Sequence, residues 1–179
     1  DSALLSHVDA RLKAARRRRE FDSDLSYGRR LGWYALVRIL RPEVVVETGT
    51  EKGLGSVVLA AALLRNGNGR LVTIDIEASS GLIIEAPYAS VVEKRIGDSV
   101  VVLKEFGESI DFFLHDSDHS REHEHSEFVA AAPWLSAAAI VLSDNSHSTD
   151  ALAKWSRATG RNFLFFQERP EHHWYRGAG

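Results

Sequence analysis

The stretch "HDSDH", residues 115–119, places two carboxylates and two imidazoles next to each other. Asp116 and Asp118 offer oxygen ligands of the kind that divalent metals bind, and His119 offers an imidazole that titrates near neutral pH. The stretch follows the apolar run "IDFFL" and precedes a segment rich in Glu and His. Three interpretations arise: a metal site, an acid and base pair, or a polar loop that caps a helix. The choice among them depends on the elements that position these side chains.

Short β-branched and apolar runs alternate along the chain with segments of helical composition. Near-continuous apolar strands separated by helices are typical of a parallel sheet that is covered on both faces. Two runs near the C-terminus have only a short turn between them, which predicts an antiparallel hairpin. The pattern therefore predicts an α/β fold with a seven-stranded, mostly parallel sheet, a C-terminal antiparallel hairpin and helices on both faces. Strands are expected at 43–47, 71–76, 90–96, 110–116, 137–144, 162–168 and 172–176. Helices are expected at 2–20, 26–40, 53–64, 98–106, 120–132 and 149–159, with Asp98 as an N-cap.

The composition is that of one globular domain, with 179 residues, 44% hydrophobic and 26% charged. A net charge of −3 gives no global sign of a nucleic-acid or membrane partner, and the basic run from Arg11 to Glu20 is interpreted as a solvated helix face. The chain has no cysteine and no apolar stretch of membrane-spanning length, so we expect a cytoplasmic location. Residues 1–179 are expected to form a single domain with its catalytic core in 41–179. The helices of 1–40 are expected to form a lid or a dimer contact, the latter giving a homo-oligomer.

The segment "ETGTEKGLGS", residues 47–56, is a glycine-rich turn between the first strand and the next helix. Such a turn lets the backbone approach a ligand closely and exposes helix N–H groups. Glu51 breaks the G-x-G-x-x-G spacing of dinucleotide-binding proteins, and Glu47 suits a cationic ligand better than an anionic one. Asp75 ends the second strand, where a carboxylate accepts hydrogen bonds from ribose hydroxyls. The alternative for Asp75 is a carboxylate that caps a helix or orders a loop.

The order E-x-G-x-x-x-G, an Asp that ends the second strand, "GDS", "HDSDH" and "SDN" resembles class I S-adenosylmethionine-dependent methyltransferases. The resemblance runs from Tyr27 to Arg176. It is closest to the small metal-dependent O-methyltransferases of the catechol and macrolide-sugar types and to a bacterial group with D-x-D-H. It implies a Rossmann-like fold and S-adenosyl-L-methionine (SAM) as cofactor. The residues that it implies for cofactor binding are Glu47, Gly49, Thr50, Gly53, Asp75, Asp98, Ser99 and Asp116.

The same resemblance implies a divalent metal, Mg²⁺ or another, held by Asp116, Asp144 and Asn145. Asp116 and Asp144 end two strands that should be neighbours in such a sheet, and Mg²⁺ prefers oxygen ligands. A metal lowers the pKa of an acceptor hydroxyl and orients it toward the methyl group. His119 is expected to remove the proton as the base, with Asp116 as its catalytic partner. These expectations describe an O-methyltransferase whose partner is a small-molecule acceptor, a sugar or a phenolic secondary metabolite.

Structural interpretations of several of these residues stay open. Asp118 and Ser120 are expected to cap the following helix, and Asp144 with Asn145 can form a turn that caps the last helix. His115 lies inside the apolar strand end and is interpreted as a packed core residue. Each of these interpretations removes one residue from the site without altering the fold.

Two other functions stay open beside methyl transfer. A zinc-dependent hydrolase is one alternative, because His119 and His123 are four residues apart, although H-E-x-x-H is absent. The segment "REHEHSE", residues 121–127, is then interpreted as a solvated helix face. A non-catalytic cofactor-binding module is the other alternative. His147 is a second candidate for the base if His119 is not.

Overall fold

The computed structural model describes residues 1–14 and 30–166 of the chain. Helices and parallel strands alternate in the larger part, as the apolar runs of the sequence predict. The helices are α1 Ser2–Ala14, α2 Leu31–Leu40, α3 Leu54–Asn66, α4 Ser99–Lys104, α5 Arg121–Ala131 and α6 Ala151–Ala158. The strands are β1 Val44–Thr48, β2 Arg70–Asp75, β3 Val92–Ile96, β4 Ile110–His115 and β5 Leu135–Ser143.

The five strands form one parallel sheet in the order β3-β2-β1-β4-β5. β1 lies at the centre, where Val46 pairs with Val72 of β2 and with Phe113 of β4. Because the strand order reverses between β1 and β4, the switch point of the sheet lies beyond their carboxyl ends. The predicted Rossmann-like parallel fold is confirmed, and the loops after β1, β2 and β4 meet at one edge.

Alternation of side chains along each strand divides the core between the two faces of the sheet. Val45 packs in a cluster with residues of α2 and α3, whereas Val46 packs with residues of α5 and α6. Both valines are fully buried. The next two residues continue the alternation, so Glu47 faces α3 and Thr48 faces α5. The face on which each side chain lies therefore determines its hydrogen-bond partners.

The N-terminal helices belong to the layer that covers one face of the sheet. Leu4 and Val8 of α1 pack against Val57 and Ala61 of α3. Val37 of α2 lies in the neighbouring cluster on the same face and is fully buried. Their expected role as a lid or dimer contact stays a prediction. No helix in the described part of the chain is long and apolar enough to cross a membrane.

The prediction of seven strands is wrong for the part of the chain that the structure describes, which has five. Residues 162–166, expected to begin the sixth strand, form no strand. A strand exists only through its hydrogen-bonded partner, and the partner expected for this segment, residues 172–176, lies outside the described residues. Residues 15–20 of the basic run and residues 26–29 of the second expected helix also lie outside them.

Candidate active site

A cavity of about 940 Å³ opens over the carboxyl ends of β1, β2 and β4. Its volume is at the upper end of the range for small-molecule and cofactor pockets. The loops after β1, β2, β3 and β4 form its wall, and α5 contributes His123. Of the residues that the sequence predicts for cofactor binding, those that line the cavity are Gly49, Asp75, Asp98, Ser99 and Asp116.

The other three predicted cofactor residues lie behind the loop rather than on the cavity wall. Glu47 is only 1% exposed, and its Oε2 accepts hydrogen bonds from Ser56 and, at 2.7 Å, from Thr73. Burial raises the pKa of Glu47 to about 7. Thr50 is buried and shares a 2.6 Å hydrogen bond with Thr73. Gly53 is the N-cap of α3 with φ of 94°. These residues shape the loop from below.

The loop after β1 takes a left-handed backbone conformation at three positions, Gly49, Glu51 and Gly53. Gly49 has φ of 85°, and a Cβ there would lie 2.6 Å from the carbonyl carbon of Asp116. The β1 and β4 loops can therefore approach each other only with glycine at this position. Glu51 has φ of 47°, in the left-handed region, and its N–H donates to Asp75 Oδ2 at 2.8 Å. Glu51 thus keeps the turn that a glycine would make.

Asp75 and Asp98 each serve the backbone as well as the cavity. Asp75 accepts the N–H of Glu51 on one oxygen and the N–H of Glu77, at 2.8 Å, on the other. It therefore orders the loops, yet each carboxylate oxygen has a second lone pair for a ligand hydroxyl. Asp98 is the N-cap of α4, as predicted, and accepts the N–H of Val101 at 3.1 Å.

Asp116, His119 and Asp144 bring one potential ligand atom each to within 4.8 Å of one another. Burial and the nearby Asp144 carboxylate raise the pKa of Asp116 well above its ordinary value. Asn145 lies beside them, with Nδ2 3.0 Å from His119 Nε2 and 3.2 Å from Asp144 Oδ2. Two close carboxylates with neutral donors beside them fit a divalent cation.

His119 is half-buried in this group. Its Nε2 lies 3.9 Å from Asp116 Oδ1, and its ring meets the ring of His115 edge-on with centroids 5.5 Å apart. Burial and the neighbouring His115 lower the pKa of His119 below its ordinary value. The imidazole is therefore neutral at neutral pH and able to accept a proton.

A buried carboxylate below the cavity, Glu127 of α5, was missed at the level of sequence. Glu127 is fully buried and is hydrogen-bonded to Thr48, Ser99, His115, Ser117 and His123. Burial acts to raise the pKa of Glu127, but hydrogen bonding and the charge of His115, followed by the Ser99 and Thr48 hydroxyls, outweigh it and lower the pKa to about 2. The anionic carboxylate therefore connects the ends of β1 and β4, the start of α4 and the loop after β4.

The interpretation of residues 121–127 as a solvated helix face is wrong at two positions. Glu124 is 2% exposed and Glu127 is fully buried. Their positions relative to the buried Phe128 and Ala131 follow the three- and four-residue spacing of one helix face. That spacing was the available signal, and it was masked by the polar composition of the segment.

The remaining predicted residues take structural places around the site. His115 is buried in the core, as expected, and its Nδ1 lies 2.7 Å from Glu127 Oε2. Ser120 is the N-cap of α5, and Asp118 accepts the Ser120 N–H at 2.7 Å, so both cap the helix as predicted. His123 does not share a group of ligands with His119. Its Nε2 lies 3.0 Å from Glu127 and 3.2 Å from Ser99.

Arg30 is a second residue that the sequence did not reveal. It precedes α2, its guanidinium lies 4.9 Å from the centre of the Trp33 ring, and Nη2 lies 3.6 Å from Asp116 Oδ2. Arg30 also lowers the pKa of Asp116, against the larger effects of burial and Asp144. Nothing in its local sequence marks this role, because Arg30 reaches the site only through the packing of α2 on α3.

Comparisons with known proteins agree with the fold and identify a methyltransferase domain. A family model described as a methyltransferase domain matches residues 46–146. The O-methyltransferase TomG from Streptomyces achromogenes, involved in tomaymycin synthesis and solved with SAM, superposes with a TM-score of 0.71 at 24% identity, over 93% of this chain and 86% of that one.

Two further solved structures share the fold. An O-methyltransferase from Bacillus cereus in complex with SAH has a TM-score of 0.73 at 20% identity, over 99% of this chain and 88% of that one. A methyltransferase from Geobacter sulfurreducens has a TM-score of 0.63 at 22% identity, over 91% of this chain and 82% of that one. No curated protein matches the sequence significantly.

Proposed function

Because this chain belongs to the methyltransferase-domain family, we propose that it transfers a methyl group from SAM to a hydroxyl of a small molecule, with a divalent cation at Asp116 and Asp144. The observation that carries the proposal is the meeting of Asp116, His119 and Asp144 beside a cofactor-sized cavity. The O-methyltransferase structures that share the fold and hold SAM or SAH support the choice of cofactor.

SAM would lie across the carboxyl ends of β1, β2 and β4. Asp75 is placed to accept ribose hydroxyls, since it lines the cavity at the end of β2. Ile76 and Leu82 line the same side and are 71% and 64% exposed, which gives an adenine ring an apolar surface to cover. Asp98 and Ser99 border that side. The methionine end then points past Gly49 toward Asp116.

Asp116, Asp144 and Asn145 would hold the cation, which supplies the charge that lowers the pKa of an acceptor hydroxyl while SAM supplies the methyl group. The residues of this chain place the two reactants and accept the proton. Asp116 lies at the boundary between the cavity and the metal group and so sets the two reactants side by side. His119 accepts the hydroxyl proton on Nε2, the nitrogen that faces Asp116 and Asn145.

The acceptor is proposed to be a sugar or phenolic hydroxyl, because Asp116, Asp144 and Asn145 supply three oxygen ligands of an octahedral cation and leave positions for two adjacent substrate oxygens. The expected small-molecule partner, self-association and cytoplasmic location remain predictions. The zinc hydrolase alternative loses its basis, since His123 binds Glu127 and Ser99 instead of joining His119.

The test is a screen of catechols, flavonoids and aminosugars with methyl-labelled SAM, run with Mg²⁺ and with EDTA. We expect transfer to at least one hydroxyl with Mg²⁺, a loss of transfer with EDTA, and recovery when Mg²⁺ is added back. Transfer that EDTA leaves unchanged would remove the cation from the proposal. Cofactor binding without transfer to any acceptor would favour the non-catalytic module.

The role of His119 is tested with a matched pair of variants. His119→Ala should abolish turnover and leave SAM affinity nearly intact, because His119 does not line the cofactor cavity. His125→Ala changes an exposed histidine on α5 and should leave both unchanged. If turnover of His119→Ala matches that of His125→Ala, the base is elsewhere, with His147 the next candidate.

A further inference from the structure

Helix α5 holds a buried carboxylate toward each of the two loops that carry the proposed metal ligands. Glu127 faces the β4–α5 loop, residues 116–120, and Glu124 faces the β5–α6 loop, residues 144–150. The two glutamates are one helical turn apart, 0% and 2% exposed. Burying two carboxylates is costly unless each is well hydrogen-bonded, so their position requires an explanation beyond helix stability.

Glu124 holds the β5–α6 loop at both of its ends. Its Oε1 accepts the hydroxyl of Ser143 at 2.6 Å, and Ser143 directly precedes Asp144. Its Oε2 accepts the hydroxyl of Thr149, which in turn accepts the N–H of Ala151 at 3.1 Å and so starts α6. Asn145, between these anchors, has φ of 54°, so the loop makes a turn that one carboxylate bridges.

Glu127 holds the β4–α5 loop and ties it to the centre of the sheet. Its Oε1 accepts the hydroxyl of Ser117, the residue after Asp116, at 2.7 Å. Its Oε2 accepts the hydroxyl of Thr48 at 2.7 Å, and the carbonyl of Thr48 accepts the N–H of Asp116 at 3.0 Å. Asp116 is therefore held on both sides through one carboxylate.

The two loops also meet directly, because the N–H of Asp144 donates to the carbonyl of His115 at 2.9 Å. The imidazole of His115 in turn bonds to Glu127. The pairing of β4 with β5 thus sets the separation of the strand ends that precede Asp116 and Asp144. The bonds to Glu124 and Glu127 add to it by fixing the residues beside these two aspartates. Changing the partners that orient metal ligands typically weakens metal affinity roughly 10–100-fold.

We propose that Glu124 and Glu127 are positioning residues, which hold the two metal-bearing loops at the separation that a divalent cation needs. The predicted effect on cation affinity rests on the proposed metal-assisted function. The predicted effect on the order of the two loops does not, and it is testable without any metal. Glu124 acts on the Asp144 loop, and Glu127 acts on the Asp116 loop and, through Ser99, on the cofactor side of the cavity.

The experiment compares Glu124→Gln and Glu127→Gln with Glu122→Gln, the same change at an exposed glutamate of α5. Hydrogen exchange by mass spectrometry on the full chain is the first readout. We expect faster exchange in residues 144–150 for Glu124→Gln, faster exchange in residues 116–120 for Glu127→Gln, and no change in either for Glu122→Gln. Exchange in the two buried variants equal to that of Glu122→Gln would overturn the proposal.

Binding of Mn²⁺, followed by its electron paramagnetic resonance signal, is the second readout. Glu124→Gln should weaken Mn²⁺ binding roughly 10–100-fold and leave SAM affinity unchanged. Equal Mn²⁺ affinity in Glu124→Gln and Glu122→Gln would show that Glu124 does not position the metal ligands. If the unaltered chain binds neither Mn²⁺ nor Mg²⁺, the metal-assisted function fails, and the exchange pattern still decides the positioning role.

Milder variants keep the test decisive if a glutamine variant does not fold. Ser143→Ala and Thr149→Val each remove one hydroxyl from Glu124, and Ser117→Ala removes one from Glu127. We expect the same loop-specific exchange with a smaller amplitude. If both Ser143→Ala and Thr149→Val leave residues 144–150 as protected as before, Glu124 does not position that loop.

Discussion

Replacing Glu47 by glutamine should remove one pH-dependent loss of stability. Glu47 is 1% exposed, and burial raises its pKa to about 7 from an ordinary value of 4.5. The folded chain therefore holds this proton more tightly than the unfolded chain does. Ionising Glu47 then disfavours folding, because a charge must be kept between the sheet and α3 away from water.

The size of the effect follows from the two values. They differ by about 2.5 pH units, which at about 1.4 kcal/mol per unit corresponds to about 3 kcal/mol. Below pH 4.5 the group is protonated in both states and costs nothing. The loss grows between pH 4.5 and about 7 and is constant above that range. Between pH 5 and pH 8 it should amount to about 2–3 kcal/mol.

Urea unfolding at pH 5 and pH 8 measures this difference. Comparing the pH dependence of Glu47→Gln with that of the unaltered chain cancels the contributions of titrating groups that Glu47 does not influence, Glu127 among them. The charge of Glu47 also raises the pKa of Asp116, so its removal changes the contribution of Asp116 as well. Glu43→Gln, at an exposed glutamate before β1, is the control. The free energy of unfolding should fall about 2–3 kcal/mol less in Glu47→Gln than in the other two proteins. Parallel pH profiles in all three would refute the reasoning.

Three further variants test the edge of the sheet. Gly49→Ala should destabilise the chain by more than about 1–3 kcal/mol, which is the cost of a left-handed backbone at a non-glycine residue, because the new Cβ would also overlap the Asp116 carbonyl. Gly32→Ala is the control, since a Cβ there meets nothing within 4 Å. Equal melting temperatures of the two variants would contradict this. Arg30→Gln should tighten Mn²⁺ binding roughly tenfold by removing a cation beside Asp116, and weaker binding in that titration would show the opposite role. Asp75→Asn should weaken SAM binding roughly tenfold or more in calorimetry, and an unchanged affinity would place the ribose elsewhere.

The strands of the sheet were predictable because they are buried on both faces. A strand such as β1, "VVVET", has no solvent side and therefore shows an almost continuous apolar run. The position of the site could then be predicted from the strand ends, because parallel strands bring their carboxyl ends to one edge of the sheet. Asp75, Asp98 and Asp116 reach the cavity for this reason, although they are far apart in sequence.

Contacts made across helix faces were not predictable in the same way. Glu124 and Glu127 lie in a segment whose composition is polar, and their burial depends on hydroxyls contributed by four other elements and loops. The resemblance implies Glu47 for cofactor binding, whereas strand alternation turns its side chain toward Ser56 of α3; its role at the cofactor stays a prediction. The prediction of a sixth strand was wrong for another reason, because residues 162–166 pair with no strand in the described part of the chain.

The proposed function requires that the cavity bind SAM and that Asp116 and Asp144 bind a divalent cation beside it. Isothermal titration calorimetry with SAM and with Mg²⁺, on the unaltered chain and on Asp144→Asn, measures both. We expect one-to-one binding of SAM to both proteins, and binding of Mg²⁺ to the unaltered chain alone. No binding of SAM to the unaltered chain, or equal binding of Mg²⁺ to both proteins, would refute the proposal.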